Sequence, residues 1–107
     1  MTLTRDFRET VHQRVETDSE FAVALLEEAI ALFLNGEPET ARLVLRDLVK
    51  ATIGLDQLAL EIETSNTHLH EMLAMNGNPS MENLTQIFNV LRKTLKVNIK
   101  VETITIA

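Results

Sequence analysis

The chain has no cysteine, no tryptophan and no tyrosine. Without cysteine there is no disulfide framework and no thiolate metal site, which fits a reducing cytoplasm. Without Trp or Tyr, a core has to be built from aliphatic side chains with Met and Phe. A run long enough to span a membrane is also missing. Residues 21–34 are apolar, but Glu27 and Glu28 interrupt them, and the stretch is shorter than the roughly 20 residues a span needs. The beginning, Met1-Thr2-Leu3-Thr4-Arg5-Asp6-Phe7-Arg8-Glu9, is charged rather than apolar and does not read as a signal peptide. No Gly-rich phosphate loop is present. His68 and His70 stand two apart and His12 is distant in sequence, which is not metal-ligand spacing. Glu27 and Glu28 are adjacent, as on a solvated face. Nothing matches a catalytic motif, so the chain reads as a non-enzyme without cofactor or metal.

What is present is 107 residues with 45% hydrophobic content and a net charge of −6. That is enough for a single domain with one modest core. The charge is uneven. Residues 1–39 hold three basic against nine acidic side chains, residues 40–75 three against five, and residues 76–107 four against two. An acidic front and a mildly basic rear suggest two faces with different partners.

The organising stretch is residues 55–74. Its period predicts two short amphipathic helices with a tight break between them. Leu55, Leu58, Ala59 and Ile62 share one face of the first; Leu69, Met72 and Leu73 share one face of the second. Glu63, Thr64 and Ser65 lie between, and Thr64 or Ser65 is placed to cap the second helix. Ala59 is small enough for a close crossing. This is the pattern of a helix-turn-helix, whose second helix enters the DNA major groove.

The flanking chain reads as further helices. Phe7, Val11 and Val15 recur at i, i+4, i+8, predicting a helix over 4–16; Thr17 to Glu20 has capping-box spacing. A helix over 20–34 runs into the stop signal Asn35-Gly36. It is apolar on most sides, which suits a central helix or a subunit interface. Pro38 opens the next helix, with Ala41, Val44, Leu45, Leu48 and Val49 as its stripe and Arg42, Arg46 and Lys50 along one edge. Gly54 turns the chain into the helix-turn-helix. A turn-rich loop, 75–80, precedes a helix over 81–95 whose inner face holds Met81, Leu84, Ile87, Phe88, Leu91 and Leu95. In the tail the period changes: Val97, Ile99 and Val101 alternate with Asn98, Lys100 and Glu102, with Ile104 and Ile106 on the opposite face. That is strand-like. One strand needs a partner, and no other segment reads as a strand, so the partner is expected from another subunit or another protein.

The expected DNA readers are Ser65, Asn66, Thr67 and His68 at the start of the second helix, with His70 and Glu71 one turn on. Asn pairs with adenine at two points, Thr bonds either base or touches a thymine methyl, and Glu accepts from cytosine. Arg46 and Lys50, with Arg42, are candidate phosphate contacts, as are the N–H groups after Pro79. Each has a plainer reading as solvated helix face, and Ser65 as a cap.

Several pieces in order also resemble a known family: Leu45-Arg46-Asp47-Leu48-Val49, Ala51-Thr52-Ile53-Gly54, Leu58-Ala59, Leu69-His70 with Met72-Leu73, and Gly77-Asn78-Pro79 followed by Asn83-Leu84. Upstream, Leu3-Thr4-Arg5-Asp6-Phe7 and Ala24-Leu25-Leu26-Glu27-Glu28-Ala29-Ile30 continue the likeness. Up to Val101 the chain is similar to the addiction-module antidotes, the HigA-like antitoxins of the lambda-repressor/Cro-like (XRE) superfamily. The resemblance implies an all-α, lambda-repressor-like helix-turn-helix bundle (37–96), an N-terminal helical extension (1–36) and a short C-terminal β-strand (97–107). It also implies a cytoplasmic homodimer that binds operator DNA, represses its own operon and neutralises a small basic toxin of the RelE/ParE type. Two positions depart from the family: Glu63 stands where a Gly is usual in the turn, and Glu71 where a basic residue is usual. With no Lys or Arg between Ser65 and Ala74, the electrostatic contribution of each monomer to DNA affinity is expected to be small. The competing readings are a helical protein-interaction module on the same scaffold and a DNA-binding regulator with no toxin.

Overall fold

The computed structural model describes residues 19–107. The expected helix over 4–16 and the capping role of Thr17 lie outside them. Among the described residues the chain is all-helical: α1 (Ser19–Leu34), α2 (Pro38–Ala51), α3 (Leu55–Glu61), α4 (Asn66–Met72) and α5 (Met81–Leu95). Helix α1 lies along α2, α3 packs against α2 and α4, and α5 touches both α1 and α3.

One core joins them. Ala22, Leu26 and Ala29 of α1 meet Leu45, Leu48 and Val49 of α2, Leu58 and Ala59 of α3, Leu69 and Met72 of α4, and Ile87 and Leu91 of α5. Small Ala22 and Ala29 let α1 and α2 approach closely. Phe33 and Phe88 meet edge to face, centroids 6.0 Å apart, tying α1 to α5 in the geometry that aromatic quadrupoles favour. Because α1 supplies three core residues, Ser19–Leu34 is an integral part of the bundle. Its other side keeps Ala24, Glu27, Glu28, Ala31 and Leu34 exposed. The inner face of α5 is as expected except for Met81, which is 74% exposed; it sits in the first turn, beyond the reach of the core.

Three of the helices end in the same way. After α1, Gly36 N–H donates to Phe33 O at 3.4 Å and Glu37 N–H to Leu32 O at 2.8 Å. After α3, Glu63 N–H donates to Leu60 O at 3.2 Å and Thr64 N–H to Ala59 O at 2.9 Å. After α5, Lys96 N–H donates to Lys93 O at 3.2 Å and Val97 N–H to Arg92 O at 3.0 Å. Each is a Schellman motif, which satisfies carbonyls that the helix leaves orphaned and requires a left-handed residue at its pivot. The pivots are Gly36 at φ 86°, Glu63 at φ 55° and Lys96 at φ 58°. Glycine is at ease there; Glu63 and Lys96 place a Cβ against the backbone at a cost of roughly 1–2 kcal/mol each.

Residues 97–107 form no strand. Among the described residues, no backbone hydrogen bond joins 98–107 to the rest of the chain. The alternation of Val97, Ile99 and Val101 is there in the sequence, but a strand is defined by its ladder, and the described residues offer no second strand to form one.

Glu63→Gly and Lys96→Gly are each expected to raise unfolding free energy by about 0.5–1 kcal/mol, after allowing for the larger unfolded-state entropy of glycine. The check is thermal or urea denaturation, and a Tm rise of roughly 3–6 °C is the expected size. Unchanged or lowered stability would show that the pivots are not strained.

Candidate nucleic-acid interface

Helix α4 has seven residues, Asn66–Met72, too few to be stable alone in water. Its surroundings hold it. At the N-terminus Ser65, in extended backbone (φ −80°, ψ 154°), accepts a hydrogen bond at its Oγ from His68 N–H at 3.0 Å. Ser65 is thus the cap that the sequence left open between Thr64 and Ser65. Along its inner side Leu69, Met72 and Leu73 are buried.

The C-terminal end is held by a residue from another helix. Arg42 of α2 is 7% exposed, a buried charge among the described residues. Its Nε donates to Ala74 O at 2.9 Å, and its Nη2 donates to Met75 O. The guanidinium therefore sits where the α4 dipole leaves partial negative charge, and its planar fork serves two carbonyls at once. Gly77 closes the same end from the other side. A Cβ there would run into the backbone carbonyls of Glu71 and Met72, so only glycine lets the loop pass so near. Gly77 N–H also donates to Ala74 O at 2.9 Å.

Held this way, α4 turns Thr67, His70 and Glu71 outward, with Asn66 and His68 on its flanks, all exposed. Thr67 and Glu71 lie most directly opposite the buried face, as their spacing from Leu69, Met72 and Leu73 requires. Asn66 is not free of the protein: its Nδ2 donates to the carboxylate of Asp56 on α3. An amide retains a second N–H and its Oδ1 in that state, the pair that adenine recognition uses. Asp56, Glu61, Glu63 and Glu71 are all exposed on this part of the chain, so acidic side chains border the polar face.

The line Arg42, Arg46, Lys50 does not act as one unit. Each step of four residues advances about 40° around a helix. Arg42 is buried, Arg46 is intermediate with its Nε enclosed and without a hydrogen-bond partner, and Lys50 is exposed. Of the three, Lys50 is the most exposed to solvent. Arg42 is corrected from a candidate phosphate contact to the clamp of α4. The sequence holds a signal for that: Arg42 is three residues before Leu45 and seven before Val49, which is core-face spacing. The Asp56–Asn66 contact has no such signal, because it joins two solvated residues across the turn. After Pro79, Ser80 Oγ accepts from Asn83 N–H at 3.0 Å, so the first turn of α5 is capped from within.

Among the described residues, no group of three His, Asp or Glu side chains is placed to hold a metal ion, and no helix is long and apolar enough to cross a membrane. Comparison with models of protein families, with curated proteins and with solved structures gave no match.

Arg42→Met removes the guanidinium from Ala74 O, which keeps only the Gly77 N–H, and from Met75 O, and is expected to cost about 1–3 kcal/mol. Arg42→Lys keeps the charge but loses the fork, and should cost at least about 1 kcal/mol. Gly77→Ala should cost about 1–3 kcal/mol through the backbone clash. Urea unfolding monitored by far-UV circular dichroism measures all three; losses below about 0.5 kcal/mol, the range of neutral surface changes, would refute the clamp.

Proposed function

We propose that this chain is a cytoplasmic DNA-binding antitoxin of a type II toxin–antitoxin module. In this reading α4 enters the major groove of a palindromic operator as part of a dimer, the protein represses its own operon, and it neutralises a small basic toxin of the RelE/ParE type. The observation that supports DNA binding best is the α3–α4 pair. Its two short helices meet through a turn pivoting on Glu63 at φ 55°. The second helix is fixed at both ends and carries Asn66, Thr67, His70 and Glu71 outward. A reader needs that rigidity, because base contacts are decided by small displacements. In this reading the exposed Lys50 contacts phosphate.

The toxin part is supported by the family resemblance of the sequence and by exposed Glu37 and Glu39 just after α1. An acidic surface speeds and orients association with a basic partner. A second reading, a helical protein-interaction module, is favoured by the acidic border of the polar face and by the engagement of Asn66 with Asp56. A regulator without a toxin is the third; a reading frame for a small basic protein beside the gene separates it from the first.

The test is binding of the purified protein to its own upstream DNA at low and moderate salt. Asn66→Ala with Thr67→Ala is expected to lower specific affinity at least about tenfold, the scale of one or two base contacts, with a stability loss no larger than about 1 kcal/mol from the exposed Asp56 contact. Glu71→Lys should raise affinity and steepen its salt dependence by roughly one ion per monomer. Absence of binding at low salt, with the toxin and without it, would support the interaction module instead. For the toxin surface, Glu37→Lys with Glu39→Lys is the suitable variant: both are exposed beside α1 rather than on it, and deleting α1 would remove Ala22, Leu26 and Ala29 from the core. It should slow association with a co-expressed basic toxin at least about tenfold, with the difference shrinking as salt is raised.

A further inference from the structure

Two exposed apolar features of this chain lie side by side. The outer side of α1 and the tail border a groove of about 750 Å³; Val23, Ala24, Ala31 and Leu34 line one wall with Glu27 and Glu28 among them, and Ile99 and Val101 line the other with Lys100 and Glu102. Leu34 is 66% exposed, Val101 67%, and Ile104 and Ile106 84% each. Large apolar side chains exposed together in this way mark an interaction site in a folded protein. The tail is also aimed. The Schellman turn at Lys96 sets its exit from α5, and Arg92 Nη1 donates to Asn98 Oδ1 at 3.1 Å while its Nη2 donates to Asn89 Oδ1 at 3.0 Å. Beyond Val97 the backbone has no ladder among the described residues, although the sequence alternates as a strand does.

We propose that the groove is filled by the same tail of a second copy, the two tails pairing as antiparallel strands about a two-fold axis at Val101. The charges choose the occupant and the register. A two-fold axis between antiparallel strands places one residue opposite its own copy. Centred on Val101, it sets Lys100 against the partner's Glu102 and Glu102 against the partner's Lys100, two opposite-charge pairs on one face. Val101 meets its copy on the other face, and Ile99 meets the partner's Thr103. Centred on Lys100 or on Glu102, it opposes like charges, which disfavours pairing. Centred on Thr103, it leaves both charges without a charged partner, Lys100 against Ile106 and Glu102 against Ile104, whereas the Val101 register sets only the uncharged Asn98 against Ile104. Centred on Ile99, it would pair Glu102 with Lys96, but Lys96 is the left-handed pivot at φ 58° and cannot join a strand. The segment is therefore complementary to itself in one register. Each tail lies in the other's groove, which gives its backbone a ladder and covers Val23, Ala31 and Leu34.

The inference deepens the dimer part of the proposed function and rests on that part alone; its test uses no DNA. The absence of cysteine from the chain makes single-cysteine variants clean reporters. Directly opposed residues have Cα atoms about 4.5–5.5 Å apart, inside the disulfide range. Val101→Cys should therefore form a covalent dimer under oxidised glutathione. Ile99→Cys and Thr103→Cys, each displaced from its copy by more than about 13 Å, should not. Sedimentation equilibrium then tests the charges. Lys100→Glu should weaken the dimer at least about tenfold, and adding Glu102→Lys should restore it, since the swapped pair is again complementary. A dimer that cross-links at another position, or whose affinity ignores both charge variants, overturns tail pairing while leaving the dimer intact. A protein that stays monomeric overturns both.

Discussion

The bond between Arg42 and the carbonyls of Ala74 and Met75 is the constraint on which the polar face depends. A seven-residue helix has too few internal hydrogen bonds to repay its own ordering. Leu69, Met72 and Leu73 supply the burial, but burial is non-directional and would tolerate a tilt. A guanidinium with two carbonyls in its fork tolerates little. It fixes the end of α4 to α2, the helix that contributes Leu45, Leu48 and Val49 to the core, so the orientation of the exposed face follows from the most buried part of the molecule. Gly77 works toward the same end by letting the loop lie against the α4 backbone. Directional polar contacts inside a low-dielectric region set geometry where apolar contacts set only proximity.

The repeated Schellman ends show how much the short connections matter. Gly36, Glu63 and Lys96 occupy equivalent places, and only one of them is the residue the conformation favours. The other two are held there by tertiary structure. At Glu63 the turn must bring α4 back across α3 with Ser65 in capping position; at Lys96 the chain must leave α5 toward α1. Both non-glycine pivots stand next to surfaces assigned here to partners, in keeping with strain persisting where surrounding structure over-determines it.

Most of the helical scaffold was legible because its signals are local. Period, Pro38 at a first turn, Asn35-Gly36 at an end and Ser80 as a cap each act within a few residues, and the helix bounds follow them. The pivot at Glu63 was legible too, as a left-handed turn lacking its glycine. Three things were not. The clamp of Arg42 was hidden because a charged residue in a row with Arg46 and Lys50 suggests a solvated edge, while the bond itself spans three helices. The Asp56–Asn66 contact joins two exposed side chains across a turn, and no pattern records it. The strand expected at 97–107, with its partner looked for in another subunit or protein, is not seen in the chain by itself, since a ladder is a property of two segments.

The arrangement of α4 separates its duties by residue. Ser65, Leu69, Met72, Leu73 and the carbonyls bound by Arg42 hold the helix; Thr67, His70 and Glu71 hold nothing. Substitutions on such a solvated face usually change stability by less than about 0.5 kcal/mol. What the helix recognises can thus drift through several exchanges while the fold stays at the same distance from unfolding, and two descendants of one ancestor can part in recognition long before they part in architecture.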